Sequence, residues 1–282
     1  MMRKASYKLR GKLPSFDKNT SLVVFWNETI PEISLVLNNL LKTISAEFFC
    51  SFSPLPFHSI DGAVVYNNVA SSPEITFWHS EKRKDIVIMT SAQPQFEHYK
   101  FFMDILDFAE KKCNVKTVYT VGSIYEICAH SAPRKLTAIY NSSEMKKMFK
   151  KLPVSGEVDT AGKAYPTRPS MSAFLSWTCM KRNISCMNLW GAMPFYMASI
   201  GDPMGQRAIA GSLEKILKLD FDYTITDNLI KEQYSRLDLL CEKSLDAGEI
   251  IARIAEGDII SEEETGILVN EINEFFSDTM DE

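Results

Sequence analysis

With 282 residues, 45% hydrophobic and 24% charged, the chain can bury a sizeable core, and its composition excludes wholesale disorder. No stretch approaches the roughly 18 consecutive apolar residues of a membrane span. The basic start, Met1-Met2-Arg3-Lys4-Ala5, runs into Tyr7-Lys8-Leu9-Arg10 and not into an apolar segment, so no export signal is expected and the expected location is cytoplasmic.

The net charge of −5 is unevenly placed. Residues 227–282 hold 16 Asp/Glu against 4 Lys/Arg, a local −12, which leaves 20 acidic and 27 basic residues, or +7, in the first 226. Such a tail is either a solvated helical appendage or a segment that docks on a basic surface of its own or a neighbouring subunit. Six scattered cysteines form no C-x-x-C pair, and several sit in apolar patterns such as Phe48-Phe49-Cys50, which fits a reducing compartment.

Taken in order, Leu22–Trp26 reads as the first strand, and Pro31–Ser45 as a helix with Ile33, Val36, Leu37, Leu40, Leu41 and Ile44 on one face. Strands follow at Glu47–Phe52, Ile75–His79 and Asp85–Thr90. The last two are separated only by Ser80–Lys84 and read as an antiparallel hairpin. Gln95–Lys112 is helical, Lys116–Val121 and Lys135–Asn141 are strands, and Lys151–Pro169 is a polar, proline- and glycine-bearing surface loop. Ser170–Lys181 is a helix and Ile184–Trp190 a strand. Asp202–Leu217 is a helix opening on an Asp N-cap with proline behind it. Beyond Asp222 the strand signals end, and Asp227–Ala247 and Ser261–Ser277 are amphipathic helices, the second opening on the capping box Ser261-x-x-Glu264.

Strands separated by helices imply parallel βαβ units, so the expected fold is a three-layer α/β/α domain over 1–226. Its sheet is mostly parallel but mixed, and an acidic C-terminal helical hairpin over 227–282 is appended to it.

Motifs for chemistry are missing at identifiable places. Gly156 and Gly162-Lys163-Ala164 lack the spacing and hydroxyl of a phosphate-binding loop. Gly201, Gly205 and Gly211 do not form a dinucleotide fingerprint, and no G-x-S-x-G elbow occurs. Cys128-x-His130 is the one close Cys/His pair and lacks two further ligands, so neither metal nor cofactor is expected. Lys146, Lys147, Lys150 and Lys151 read as a solvated helix face or as a contact surface for the acidic tail, and nucleic acid is not expected. Open α/β sheets bind ligands at the carboxyl ends of their strands. That rule nominates Asn27, Glu28, Gln93, Ser123, Tyr125, His130, Arg134 and Tyr196 as candidate ligand residues.

The order of these segments resembles the proteasome assembly chaperone 2 family. Asp85–Thr90 with Gln93-Pro94 and a long helix is similar to its strand, "xP" turn and helix. Lys116–Gly122 with Ala129-His130-Ser131-Ala132-Pro133-Arg134 resembles its strand, glycine and "H-x-R-P"-like turn. Ile184–Trp190 with Gly191-Ala192-Met193-Pro194-Phe195-Tyr196, then Asp202–Leu217, resembles its strand, "P-x-Y" segment and closing helix.

The resemblance, to the prokaryotic branch once labelled ATP-grasp or carboxylate–amine ligase-like, implies a phosphorylase/hydrolase-like α/β/α fold and a homo-oligomer. It further implies a chaperone-like assembly or scaffold protein with protein partners. The alternative is an enzyme on that fold acting on a nucleoside or other small molecule, with a closed polar pocket lined by Glu28, His130, Arg134 or Tyr196. Asn27-Glu28-Thr29-Ile30-Pro31 stands where the family has a glycine-rich turn, and the "H-x-R-P" is scrambled. Both departures count against a retained small-molecule site.

Overall fold

The strand Thr20–Trp26 sets the architecture, because successive side chains leave a strand on opposite faces. Leu22, Val24 and Trp26 enter one apolar cluster and Val23 and Phe25 another, all at most 2% exposed. A strand buried on both sides needs a helical layer on each. The computed structural model describes residues 6–27, 30–58, 64–66, 69–71, 74–152, 154 and 170–277.

In chain order the elements begin with β1 (Tyr7–Leu9), β2 (Thr20–Trp26), α1 (Ile30–Ile44), β3 (Glu47–Phe52), β4 (Val64–Tyr66) and β5 (Val69–Ser71). Next come β6 (Ile75–His79), β7 (Ile86–Ser91), α2 (His98–Cys113), β8 (Val115–Glu126), β9 (Leu136–Tyr140) and α3 (Ser143–Met148). The remainder are α4 (Met171–Lys181), β10 (Ser185–Pro194), α5 (Pro203–Leu217), α6 (Thr224–Lys243), α7 (Leu245–Glu256) and α8 (Glu262–Ser277).

Eight strands form one sheet in the order β1-β3-β6-β7-β2-β8-β10-β9. The four central strands β7, β2, β8 and β10 are parallel, and the outer pairings are antiparallel. α2 and α4 cover one face through Phe101, Phe102, Leu106, Leu175 and Cys179; α1 and α5 cover the other through Ile33, Leu40, Ile209 and Leu213. This is the expected three-layer α/β/α domain, with its parallel part confined to the centre.

β8 and the C-terminal segment depart from the sequence reading. β8 does not stop at Val121 but continues to Glu126, because Ser185–Pro194 supplies ten successive pairing partners. Gly122 then lies inside the strand, where a Cβ would sit 3.4 Å from the ring of its partner Trp190, so the glycine makes room for an indole and does not end the strand. The expected loop 151–169 lies outside the described residues except at Lys151, Leu152 and Val154. Past residue 223 there are three helices, not a pair, since Leu245–Glu256 forms a helix of its own. Ser244 caps that helix through the Ala247 N–H at 3.2 Å, and Gly248 lets α7 approach Cys241 O to within 2.9 Å of where its Cβ would be. The capping box at α8 forms as read, with Ser261 Oγ accepting from Glu264 N at 3.1 Å and Glu264 accepting from Ser261 N at 2.7 Å. No helix among the described residues is long and apolar enough to cross a membrane.

Among the described residues the tail docks chiefly through apolar side chains. Leu237, Leu240, Ala247, Ile250, Ile251, Ile254, Leu268 and Ile272 form a third apolar cluster with Ala129, Met193, Tyr196 and Met197 at the carboxyl ends of β8 and β10. The Arg207–Asp227 ion pair across the joint, at 3.1 Å, is roughly half exposed on both sides. Exposed pairs of this kind contribute about 0–1 kcal/mol. Limited proteolysis of the tail is therefore expected to be as slow in 1 M as in 0.1 M sodium chloride. Leu237→Ala, emptying a fully buried site, is expected to cost about 2–5 kcal/mol in chemical denaturation and to accelerate tail cleavage. Salt-triggered release would contradict this account.

Candidate functional site

The strand ends are where an α/β sheet presents loops to a ligand, and the sequence-nominated residues divide sharply there. Asn27 is exposed at the end of β2, and Gln93 is half-buried beyond β7. Glu28 lies outside the described residues. Ser123 and Tyr125 are not in a loop; they are β8 residues paired with Gly191 and Met193, and Tyr125 faces outward. His130, Arg134 and Tyr196, by contrast, come together beneath α6.

The turn after β8 brings His130 against the 3₁₀ turn Phe195–Met197 that follows β10. Tyr196, 1% exposed, accepts a hydrogen bond from the His130 backbone N–H at 2.6 Å, and its hydroxyl lies 3.1 Å from His130 Nδ1. The hydroxyl and Nδ1 therefore share one hydrogen bond, which ties the imidazole ring to the tyrosine. Tyr234 of α6 donates its hydroxyl to His130 O at 2.6 Å, and Asp238 Oδ1 stands 4.0 Å from Nε2. Burial drives the His130 pKa down, against the opposing pull of Asp238, and holds the Tyr196 phenol well above its ordinary range.

Arg134 supplies the second half of the arrangement. Its Nε donates to Asp202 Oδ2 at 2.6 Å and its Nη2 to Asp202 Oδ1 at 3.2 Å, with side chains 1% and 2% exposed. Nη1 donates to Ala132 O at 2.5 Å. Burial opposes the guanidinium charge, but the Asp202 carboxylate outweighs it and the Arg134 pKa is raised. Asp202 does sit at the N-cap position with Pro203 behind it, yet its side chain makes no capping bond, because Arg134 has claimed it. The carboxylate fits only beside a residue without a Cβ: an added methyl at Gly205 would lie 2.7 Å from Asp202 Oδ2.

The sequence reading missed Asp202, Gly205, Tyr234 and Asp238. Asp202-Pro203 signalled a helix start but not a partner 68 residues away, and a tyrosine in an amphipathic helix carries no local sign of what it meets.

His130, Arg134 and Tyr196 are hydrogen-bonded with one another's segments, Asp202 and Tyr234, and Glu28, named with them for a polar pocket, lies outside the described residues. Beside them a cavity of about 330 Å³ opens between α1, α5, α6 and α8, lined by Ser34, Gln206, Gln233 and Arg236 among others. Gln206 Oε1 accepts from Leu35 N at 2.8 Å, and Gln233 Nε2 donates to Gly201 O at 2.9 Å. Among the described residues no group of three His, Cys, Asp or Glu side chains is placed to hold a metal ion.

A model of the PAC2 family matches residues 33–236. The chain belongs to that family. The match runs from α1 into α6 and so includes His130, Arg134, Tyr196, Asp202 and Tyr234, while α7 and α8 lie beyond it. Solved PAC2-like structures share the fold at low identity. A Mycobacterium tuberculosis protein of unknown function is similar with a TM-score of 0.73 at 14% identity, covering 91% of each chain. Pyrococcus furiosus PbaB, an archaeal proteasome activator, gives 0.66 at 19%, covering 85% of this chain and 99% of its own. A Mycobacterium tuberculosis proteasome-assembly chaperone homologue gives 0.65 at 16%, with 78% and 94% covered. The comparison with curated proteins finds no match.

Two outcomes follow for this PAC2-family site. Arg134→Met strands a buried carboxylate and should cost about 3–5 kcal/mol in urea denaturation. Gly205→Ala should lose stability in the same assay by forcing Asp202 away.

A further outcome concerns pH. The His130 pKa is lower folded than unfolded, so stability is whole above the unfolded value and falls as pH drops below it, where the unfolded chain binds the extra proton. Denaturation midpoints should decline from pH 7.5 to pH 5, and less steeply in His130→Gln. His79, also lowered chiefly by burial, contributes equally to both proteins.

Proposed function

We propose that this PAC2-family protein is a non-enzymatic, chaperone-like assembly or scaffold protein of the cytoplasm, acting as a homo-oligomer on protein partners. The observation that carries the reading is the closure of the strand ends. The position at which a phosphorylase-like sheet would hold a substrate is covered by the chain's own α6, α7 and α8. The polar residues nearest to it, His130, Arg134 and Tyr196, are committed to fixing that cover.

Relatives of this fold include an archaeal proteasome activator and a proteasome-assembly chaperone homologue, and they direct the choice of partner towards proteasome subunits. In this reading residues 1–226 are the fold-bearing unit. Residues 227–282 are an appendage whose apolar side seals the body and whose acidic side faces outward. Asp238, Asp246, Glu249, Glu256 and Glu262 are all exposed, which gives a charged surface suited to protein contacts and opposed to nucleic acid or anionic lipid.

Size-exclusion chromatography with light scattering should show a mass above the 32.0 kDa of one chain. Purified proteasome α-subunits from the same cell should be retained on the immobilised protein. A monomer that retains no subunit, together with a thermal shift of several degrees on adding a nucleoside, would instead establish the enzyme reading, with the 330 Å³ cavity as its site.

A further inference from the structure

β9 is the last strand of the sheet, and among the described residues no strand pairs with its outer edge. Asn141 N donates to Cys186 O and Ala192 N to Lys135 O, so in this antiparallel ladder the odd-numbered residues face β10. The N–H and C=O groups of Leu136, Ala138 and Tyr140 consequently point away from the sheet. A groove of about 690 Å³ runs along that edge, with Ala138, Ile139 and Tyr140 on one side, Phe149 and Leu152 forming apolar wall, and Lys146 and Lys150 of the α3 region at its rim. Lys146, Lys147, Lys150 and Lys151 are all exposed.

We infer that this groove is a docking site for an extended acidic peptide segment of a partner protein, which adds as a ninth strand beside β9. A strand supplies backbone donors and acceptors to the outward groups of Ala138 and Tyr140, which no strand among the described residues pairs. Side chains on the α3 face of such a strand meet Tyr140, Phe149 and Leu152, those on the opposite face pass Ile139, and carboxylates along it lie beside the lysine rim, so the charge on the groove selects an acidic sequence. A five-residue edge accommodates about 17 Å of extended chain. The chain's own acidic helices α6, α7 and α8 do not fit, because their backbone groups are paired within the helices. Lysines beside an edge strand are also a device against unwanted sheet pairing, and that role makes the opposite forecast when they are removed.

Fluorescence anisotropy of a fluorescein-labelled heptapeptide alternating valine with glutamate, titrated with the full chain in 50 mM salt, tests the inference. Saturable binding is expected, weakened at least tenfold by Lys146→Glu with Lys150→Glu and at least tenfold by 0.5 M salt. A peptide N-methylated at alternate amides, which cannot donate to the edge, should fail to bind, and so should the lysine counterpart of the peptide. This control needs no altered protein, so it holds even if Ala138→Pro, the matching change in β9, does not fold. Absence of saturable binding, or binding that survives N-methylation, would overturn the proposal. So would a Lys146→Ala, Lys150→Ala protein that self-associates while binding the peptide as before, the result expected of lysines that merely guard an edge.

Discussion

Arg134 and Asp202 are almost wholly removed from water, and charges placed that deeply persist only while each holds the other. Such a pair adds little net stability over an apolar substitute, but it has one allowed geometry. The fork of the guanidinium fixes the turn after β8 against the first residue of the segment that becomes α5. Gly205 exists in that helix to leave the carboxylate its space. Once the turn is fixed, His130 can meet only Tyr196 and Tyr234, and α6 has a defined place to lie.

The remainder of the C-terminal segment is held by a different force. Its isoleucines and leucines form the third core, and its acidic side chains are turned to solvent, so its charge does not hold it down. The charge split read from composition is therefore real but serves the surface. It leaves an acidic face over the strand ends and a basic rim along the β9 edge, separated on one molecule. The α/β/α frame is shared with structures at 14–19% identity, and fold alone does not assign function.

Most of the frame was legible because it depends on local periodicity. The alternation in Leu22–Trp26, the helical spacing of Ile33 to Ile44 and the capping box at Ser261 each act within a few residues, and each formed as read. The extension of β8 past Gly122 was not legible, because it depends on a partner strand more than sixty residues on, whose Trp190 fills the space a side chain would occupy. The helix Leu245–Glu256 was not legible as a separate element, because its start depends on the Ser244 cap and on the contact that Gly248 permits with Cys241 of α6.

At the strand ends, the sequence by itself determined that polar residues of the right kind, His130, Arg134 and Tyr196, would stand near the carboxyl edge of a mixed sheet, and that the last 56 residues would be acidic, with amphipathic helices over Asp227–Ala247 and Ser261–Ser277. Only the tertiary structure decided what those residues are for. Hydrogen-bond and ion-pair partners 66, 68 and 104 positions apart are brought together by packing, and no periodicity records that meeting. The tail's charge was visible in its composition, but its docking was not, because an amphipathic helix shows which side is apolar without showing what that side will cover.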